Sequence, residues 1–241
     1  MKNFFEIKKT ITASEVDSKW TLRFDSILHI FQDIATSHAR EMGMGFDNLM
    51  KDSNAFWVLS KIKFRLNDKI LQFDEVLAKT WPLKPSLIRF QRDFTITCAN
   101  KAVLGSSEWC ILDGTTYGLR KLSSVNYPTS LEHLTETSNA GEFTRFTNQV
   151  DIEDYIYTYK AQYTDIDCNN HVNNVSYAKM ALNAFTPDEF IDFKFTGFEI
   201  HFISQSYYGD EIKIYKKPVD GGVYVEGKLN DKTVFKTLFT K

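Results

Sequence analysis

Residues 163–180 read YTDIDCNNHVNNVSYAKM and pack Asp165, Asp167, Asn169, Asn170, His171, Asn173 and Asn174 into a short span. Amides and carboxylates at that density cost packing energy if simply buried, because each needs a partner. An apolar helical pattern follows at once, so Asp167-x-Asn169-x-His171 stands just ahead of a helix. There the first backbone N–H groups lack intrahelical partners and carry the positive end of the macrodipole. A carbonyl oxygen becoming an oxyanion is stabilised at such a place. The set offers oxyanion donors, a carboxylate base or nucleophile, an amide to orient water, and an imidazole. It suits hydrolysis of an activated acyl group. The same residue types also serve as helix caps and Asx turns, and a lone histidine beside them can simply bond backbone. Cys168, the x of the D-x-N spacing, adds a nucleophile alternative, since a cysteine near a histidine can be activated.

These residues need elements to hold them. The spacing predicts a helix over 26–42, with Ile27, Ile30, Phe31 and Ile34 as its apolar stripe and Asp25 or Ser26 as its cap. It predicts a second helix over 172–185, begun with the help of Asn170 and stopped by Pro187. Val172, Val175, Ala178, Leu182 and Phe185 share one face of it. Elsewhere the pattern alternates. Ile62, Phe64 and Leu66 oppose Lys61, Lys63 and Arg65, while Phe90, Phe94 and Ile96 oppose Arg89, Gln91, Asp93, Thr95 and Thr97. Half-polar alternation fits antiparallel sheet with one wet face.

An internal repeat organises the elements. IKFRLNDKILQFDEV, residues 62–76, aligns without a gap on FEIHFISQSYYGDEI, 136 positions later. Apolar positions coincide, and Asp74-Glu75-Val76 matches Asp210-Glu211-Ile212. Each half runs strand, helix, then several antiparallel strands, so a sheet curling about one helix would bury that helix's apolar face. A polar segment lies between the halves. The expected domains are 1–138 and 149–241, joined by a linker over 139–148.

Composition narrows the function classes. With 43% hydrophobic and 25% charged residues the chain can bury a core and is not disordered. A net charge of −2 gives no electrostatic signal for nucleic acid. No window approaches the roughly 18 apolar residues of a membrane span, and the first ten residues lack a signal peptide's apolar run. Three cysteines without C-x-x-C spacing indicate neither a disulfide framework nor a zinc site. A cytoplasmic protein is expected, and a homodimer is compatible with the sequence.

DIDCNNHVNNVSY resembles the signature of the acyl-acyl carrier protein thioesterases, D-x-N-x-H-V-N-N-x-x-Y, with every fixed position met from Asp167 to Tyr177. AFWVLSKIKFRL, SSEWCILD and FEIHFISQSYYGDEI are similar to strands of that family. The resemblance implies an α+β tandem (double) hot-dog, two antiparallel sheets each wrapping a long central helix. It implies hydrolysis of fatty acyl thioesters on acyl carrier protein, releasing free fatty acid, with no metal or organic cofactor. Asp167 would be the catalytic carboxylate, Asn169 the orienting amide and His171 the third polar partner, with helix N–H groups on the oxyanion. The family commonly places a glutamate in the late strand, where this chain has Gln205. Gln can hydrogen-bond water but cannot take its proton. Strand parity from Phe198, Ile200 and Phe202 would point Gln205 away from the helix unless a bulge intervenes.

The family's acyl chain lies in the first half, which here holds Trp20, Trp57, Trp81 and Trp109. A basic stretch, with Lys61, Lys63, Arg65, Lys69, Lys79, Lys84, Arg89 and Arg92 against Asp68, Asp74 and Glu75, could steer an acidic carrier protein, or simply discourage edge pairing. A coenzyme A thioesterase, a hot-dog hydratase and a non-catalytic acyl-binding module are alternatives on the same fold.

Overall fold

The computed structural model describes residues 2–241. The chain divides into two compact units, Met1–Gly141 and Glu142–Lys241. The first contains β1 (Phe5–Thr10), a 3-10 turn at Ala13–Glu15, α1 (Phe24–Glu41), α2 (Phe46–Ser53), β2 (Ala55–Leu66), β3 (Glu75–Pro82), β4 (Phe90–Cys98) and β5 (Lys101–Asp113). Its strands lie in the order β1-β3-β4-β5-β2, all neighbours antiparallel. The second contains β6 (Tyr155–Lys160), a 3-10 turn at Tyr163–Asp165, α3 (Asn174–Leu182), α4 (Pro187–Phe193), β7 (Gly197–Phe202), β8 (Glu211–Val219), β9 (Gly222–Leu229) and β10 (Lys232–Thr240). Its order, β6-β8-β9-β10-β7, repeats the first. This is the tandem hot-dog that the resemblance implies, and the repeat is visible in the matching strand orders. Among the described residues no helix is long and apolar enough to cross a membrane.

The periodicities account for the core of the first unit. Ile27, Ile30, Phe31 and Ile34 of α1 are buried, as are Ile62 and Phe64 of β2 and Phe94 and Ile96 of β4. Phe31 stacks on Phe94 with centroids 4.4 Å apart and meets Phe64 edge-on at 6.4 Å. Gly105 makes room for it, because a Cβ there would lie 2.3 Å from the Phe31 ring. Arg92 occupies the same face of β4 as Phe90 and Phe94. It is buried, within hydrogen-bond reach of His38 Nδ1 at 3.0 Å and donating to Thr80 Oγ1 at 3.2 Å. It therefore drops out of the surface basic stretch.

The helix boundaries differ in instructive ways. The N-cap of α1 is Arg23, not Asp25 or Ser26, and Asp25 instead pairs with the Arg23 guanidinium at 2.9 Å. The entry is fixed upstream, where the Arg23 N–H reaches the Glu15 carbonyl at 2.9 Å. The second helix, α3, is shorter than the pattern over 172–185 suggests. Pro187 does not stop it. Pro187 is in the first turn of α4, where a missing N–H costs nothing, and Thr186 caps α4 by accepting from the Glu189 N–H. A cluster of rings fixes this reversal, with Phe185 4.9 Å from Phe239 and 5.5 Å from Phe195.

The polar segment around 139–148 forms no helix or strand, but Ser138 just before it and Thr144 within it are hydrogen-bonded to buried groups. In the first unit the Ser138 N–H donates to Asp93 Oδ2 at 2.7 Å and its hydroxyl to the Gly105 carbonyl at 2.7 Å. In the second, Thr144 donates N–H and O–H to the two oxygens of buried Glu199 at 2.7 and 3.1 Å.

The repeat persists at the level of single hydrogen bonds. The Asp74 carbonyl accepts from the Ile11 N–H at 3.0 Å, and the Asp210 carbonyl from the Ala161 N–H at 2.9 Å. Asp74 Oδ2 accepts from Leu71 N–H at 2.9 Å, and Asp210 Oδ2 from Tyr207 N–H at 2.8 Å. The residues preceding these aspartates, Phe73 and Gly209, both take positive φ, 69° and 86°.

Candidate active site

The loop between the Tyr163–Asp165 turn and α3 is a compact Asx turn built on Asp167. Its carboxylate Oδ1 accepts the N–H groups of Asn169 at 2.8 Å and His171 at 3.3 Å. Its own N–H donates to the His171 carbonyl at 2.9 Å, and its carbonyl accepts from Asn170 at 3.1 Å. Closing so tight a loop requires one left-handed residue, which is Asn170 with φ 61°. Asn170 therefore belongs to the turn and does not begin the helix. Asn173 does that, its Oδ1 accepting the Val175 N–H at 2.9 Å. Beneath the loop, buried Asp165 anchors the chain. Its carbonyl accepts the Asn173 N–H at 2.7 Å and its Oδ2 accepts Tyr159 O–H and Gln162 N–H, each at 2.8 Å.

This geometry brings Asp167, Asn169 and His171 into one turn at the positive end of α3. Asp167 and His171 are half-buried, and Cys168 and Asn169 are exposed. The His171 ring meets the Tyr207 ring edge-on with centroids 5.2 Å apart. One Asp167 oxygen is committed to backbone. The other, with the Asn169 amide and the His171 imidazole, makes no hydrogen bond among the described residues. The helix end is also partly occupied, since the N–H groups of Val175 and Ser176 already donate to the side chain and carbonyl of Asn173.

Gln205 is not on a strand, so the parity argument does not apply to it. β7 ends at Phe202, and Gln205 is exposed in the segment that follows. That segment is held at both sides. The Ile203 and Ser204 N–H groups donate to the Val234 carbonyl at 2.8 and 3.1 Å, and the Ser206 carbonyl accepts the Val172 N–H at 2.9 Å. Gln205 is thus one residue from a bond to the chain just after His171, although no side-chain hydrogen bond joins it to Asp167, Asn169 or His171 among the described residues.

The first unit builds the same turn, which sequence spacing alone did not disclose. Asp17 Oδ1 accepts the N–H groups of Lys19 at 2.8 Å and Thr21 at 3.0 Å, and the Asp17 N–H donates to the Thr21 carbonyl at 2.8 Å. Trp20 takes the left-handed position with φ 62°. The bridge Val16–Leu22 closes this turn as Ile166–Val172 closes the other. Lys19, Thr21 and Arg23 thus stand where the second unit has Asn169, His171 and Asn173. The aspartate serves both turns, and the amide and imidazole belong to one. The shared signal is an aspartate after an apolar residue, with another apolar residue five positions on, a pattern too common to mark a turn.

Comparison with known proteins bears on the whole chain. The model of the acyl-ACP thioesterase N-terminal domain matches residues 2–127, and that of the C-terminal domain matches residues 149–238. Oleoyl-acyl carrier protein thioesterase 2, chloroplastic, of Arabidopsis thaliana is 24% identical over 204 residues, covering 78% of this chain and 55% of its own length. Palmitoyl-acyl carrier protein thioesterase, chloroplastic, of Cuphea hookeriana is 24% identical over 191 residues, covering 74% and 46%. The chain therefore spans about half the length of these curated relatives. Among solved structures, an acyl-ACP thioesterase from Bacteroides thetaiotaomicron aligns with a TM-score of 0.88 at 22% identity, covering 99% of this chain and 97% of the other. The 12:0-ACP thioesterase from Umbellularia californica aligns with a TM-score of 0.86 at 14% identity, covering 100% and 97%. At these identities the structures speak for the fold.

Proposed function

This chain belongs to the acyl-ACP thioesterase family, and on that footing we propose that it hydrolyses fatty acyl thioesters carried on acyl carrier protein, releasing free fatty acid and ending chain elongation. The observation that carries the reading is the contrast between the two Asx turns. Both have the aspartate, but only the turn at Asp167 adds an amide, an imidazole and a residue whose side chain caps the helix.

In this reading, water attacks the thioester carbonyl, the carbonyl oxygen becomes an oxyanion, and the carrier's thiolate leaves. The positive end of α3 faces the developing negative charge. The unengaged Asp167 oxygen and the His171 imidazole are the groups available to take the proton of water, and the Asn169 amide is placed to orient it. Gln205 can hydrogen-bond that water but cannot deprotonate it. Base catalysis therefore falls to Asp167 or His171. The first unit is assigned the acyl chain. Two apolar clusters there support this, one of Met42, Met44, Leu49 and Leu131 and one of Ala55, Phe90 and Ile111, both packed on Trp57, Val125 and Tyr127. Domains of 1–138 and 149–241 about a linker of 139–148, a cytoplasmic location and a homodimer belong to the same proposal.

The test is release of free thiol from acyl-acyl carrier protein, with the same acyl chain on coenzyme A run in parallel. Asp167→Ala should abolish turnover. Full activity in a folded Asp167→Ala protein would remove Asp167 from the chemistry, and faster turnover of the coenzyme A ester would transfer the assignment to that carrier.

A further inference from the structure

Two buried hydroxyls lie under the Asp167 turn. Tyr177, on α3, is 3% exposed and Ser206 is 0% exposed. Neither side-chain oxygen has a hydrogen-bond partner of ordinary geometry among the described residues. Leaving a buried polar group unpaired is destabilising, so such a group calls for an explanation. Burial pushes the Tyr177 phenol up, the facing Ser206 hydroxyl and peptide N–H pull it down, and the Asp210 and Asp167 carboxylates push it up again. Geometry brings the two residues to one place, since the Tyr177 ring packs 6.1 Å from Phe202 at the end of β7, and the Ser206 carbonyl, four residues on, accepts the Val172 N–H just ahead of α3.

The first unit shows that the fold does not need them. Aligned through the two Asx turns, Tyr177 corresponds to Ile27. Aligned through the Asp74 and Asp210 turns, Ser206 corresponds to Ile70. The correspondence is anchored by a bond, since the Leu22 N–H donates to the Ile70 carbonyl at 2.8 Å as Val172 donates to Ser206. Ile27 and Ile70 are 1% and 2% exposed. The same strand, turn and helix are thus packed with two aliphatic side chains in the unit that lacks the amide and imidazole. Neighbouring Ser26 and Ser176 are serine and buried in both units, so a buried hydroxyl on the helix is kept at that position and replaced by an aliphatic side chain at the next.

We propose that Tyr177 and Ser206 are positioning residues for the reaction at Asp167. Their hydroxyls are the polar groups buried between α3 and the segment 203–206, and their mutual attraction, short of a regular hydrogen bond, sets the register of the two. They thereby set where Gln205 stands relative to the turn, and where the Tyr207 ring that flanks His171 stands. An aliphatic pair, as in the first unit, packs these elements with no polar group to fix their register. Such a loss of register slows a step that depends on alignment. This inference rests on the thioesterase reading of the site.

The experiment compares Ser206→Thr with Ser206→Val, which match in shape and differ in the hydroxyl, alongside Tyr177→Phe and the double variant Tyr177→Ile/Ser206→Ile. Thiol release from acyl-acyl carrier protein gives kcat and KM, and thermal melts monitor folding. We expect Ser206→Thr to keep kcat within about threefold of the natural chain. Ser206→Val and Tyr177→Phe should lose about tenfold or more in kcat with KM nearly unchanged, the pattern of an interaction needed only in the transition state. The double variant should melt no lower than the natural chain and be equally slow. Equal kcat for Ser206→Thr and Ser206→Val would overturn the proposal, whatever the melting temperatures. If the natural chain released no thiol, the thioesterase reading would fall first and take this inference with it.

Discussion

At Asp167 one carboxylate oxygen serves the backbone and the other is unengaged, so substitutions can separate the structural role from the proposed catalytic one. Asn offers the same Oδ1 acceptor without the charge. Asp167→Asn should therefore keep its turn and most of its stability while losing thiol release. Asp17→Ala should lose about 1–2 kcal/mol, from two turn hydrogen bonds, while retaining activity. Urea melts paired with thiol release check both, and an active Asp167→Asn would reduce the residue to a structural staple. His38 supports a prediction of another kind. It is buried, and burial first, then the Arg92 guanidinium, holds its imidazole at about 4, against a smaller opposing pull from the Lys2 carbonyl. The unfolded chain protonates this side chain near 6.5. Between those values the unfolded state binds the extra proton, so stability is lost as pH falls from about 6.5 to about 4, by up to ~3 kcal/mol. His38→Gln should flatten that part of the stability profile in urea titrations at pH 4 and 7. Asp167, Asn169 and His171 were legible at this scale because polar side chains before a helix stand out by type and spacing. Ser206 was not, since a lone serine in an exposed-looking segment carries no sign of what will be folded over it.

At the scale of elements, periodicity located α1 within two residues at its start and one at its end, and picked out the buried faces of β2 and β4. It failed where position in the fold, not local preference, decides. Arg92 sits on an apolar face because His38 and Thr80 satisfy it there. Pro187 begins a helix because Phe185 and its ring neighbours have already turned the chain. Close packing of α1 yields a sharp expectation. Gly105→Ala would place a methyl 2.3 Å from the Phe31 ring. Displacing a ring stacked on Phe94 and facing Phe64 should cost about 1–3 kcal/mol, read as a lower melting temperature. A melt unchanged by this substitution would mean that the Phe31 ring has room to move.

For the molecule as a whole, the gapless alignment of 62–76 on 198–212 was legible because it preserves a turn motif and an apolar alternation. The matching Asx turns were not, because DSKWTLR and DCNNHVN share little beyond the aspartate and apolar flanks. With both halves in view, each becomes a template for the other. Trp20 and Phe73 hold left-handed backbone at φ 62° and 69°, where the second unit uses Asn170 and Gly209. Left-handed geometry costs an ordinary residue about 1–2 kcal/mol, and both rings are largely exposed and contribute little packing. Trp20→Asn and Phe73→Gly should each raise stability by roughly 1 kcal/mol, measured by chemical denaturation with thiol release as the control. Destabilisation by either would show that the exposed ring has a partner in solution.

The twin aspartates also bear on how relatives of this chain should be sorted into active and silent members. An aspartate retained at this position signals only that the loop still closes, since Asp17 persists in a half with no imidazole beside it. A relative that kept Asp167 but carried Lys, Thr and Arg in place of Asn169, His171 and Asn173 would still close the turn, as the first unit does, without the groups to which hydrolysis is assigned in the proposed function. Under the proposed function, the letters that would tell the two apart are the ones between and after the aspartate's hydrogen bonds.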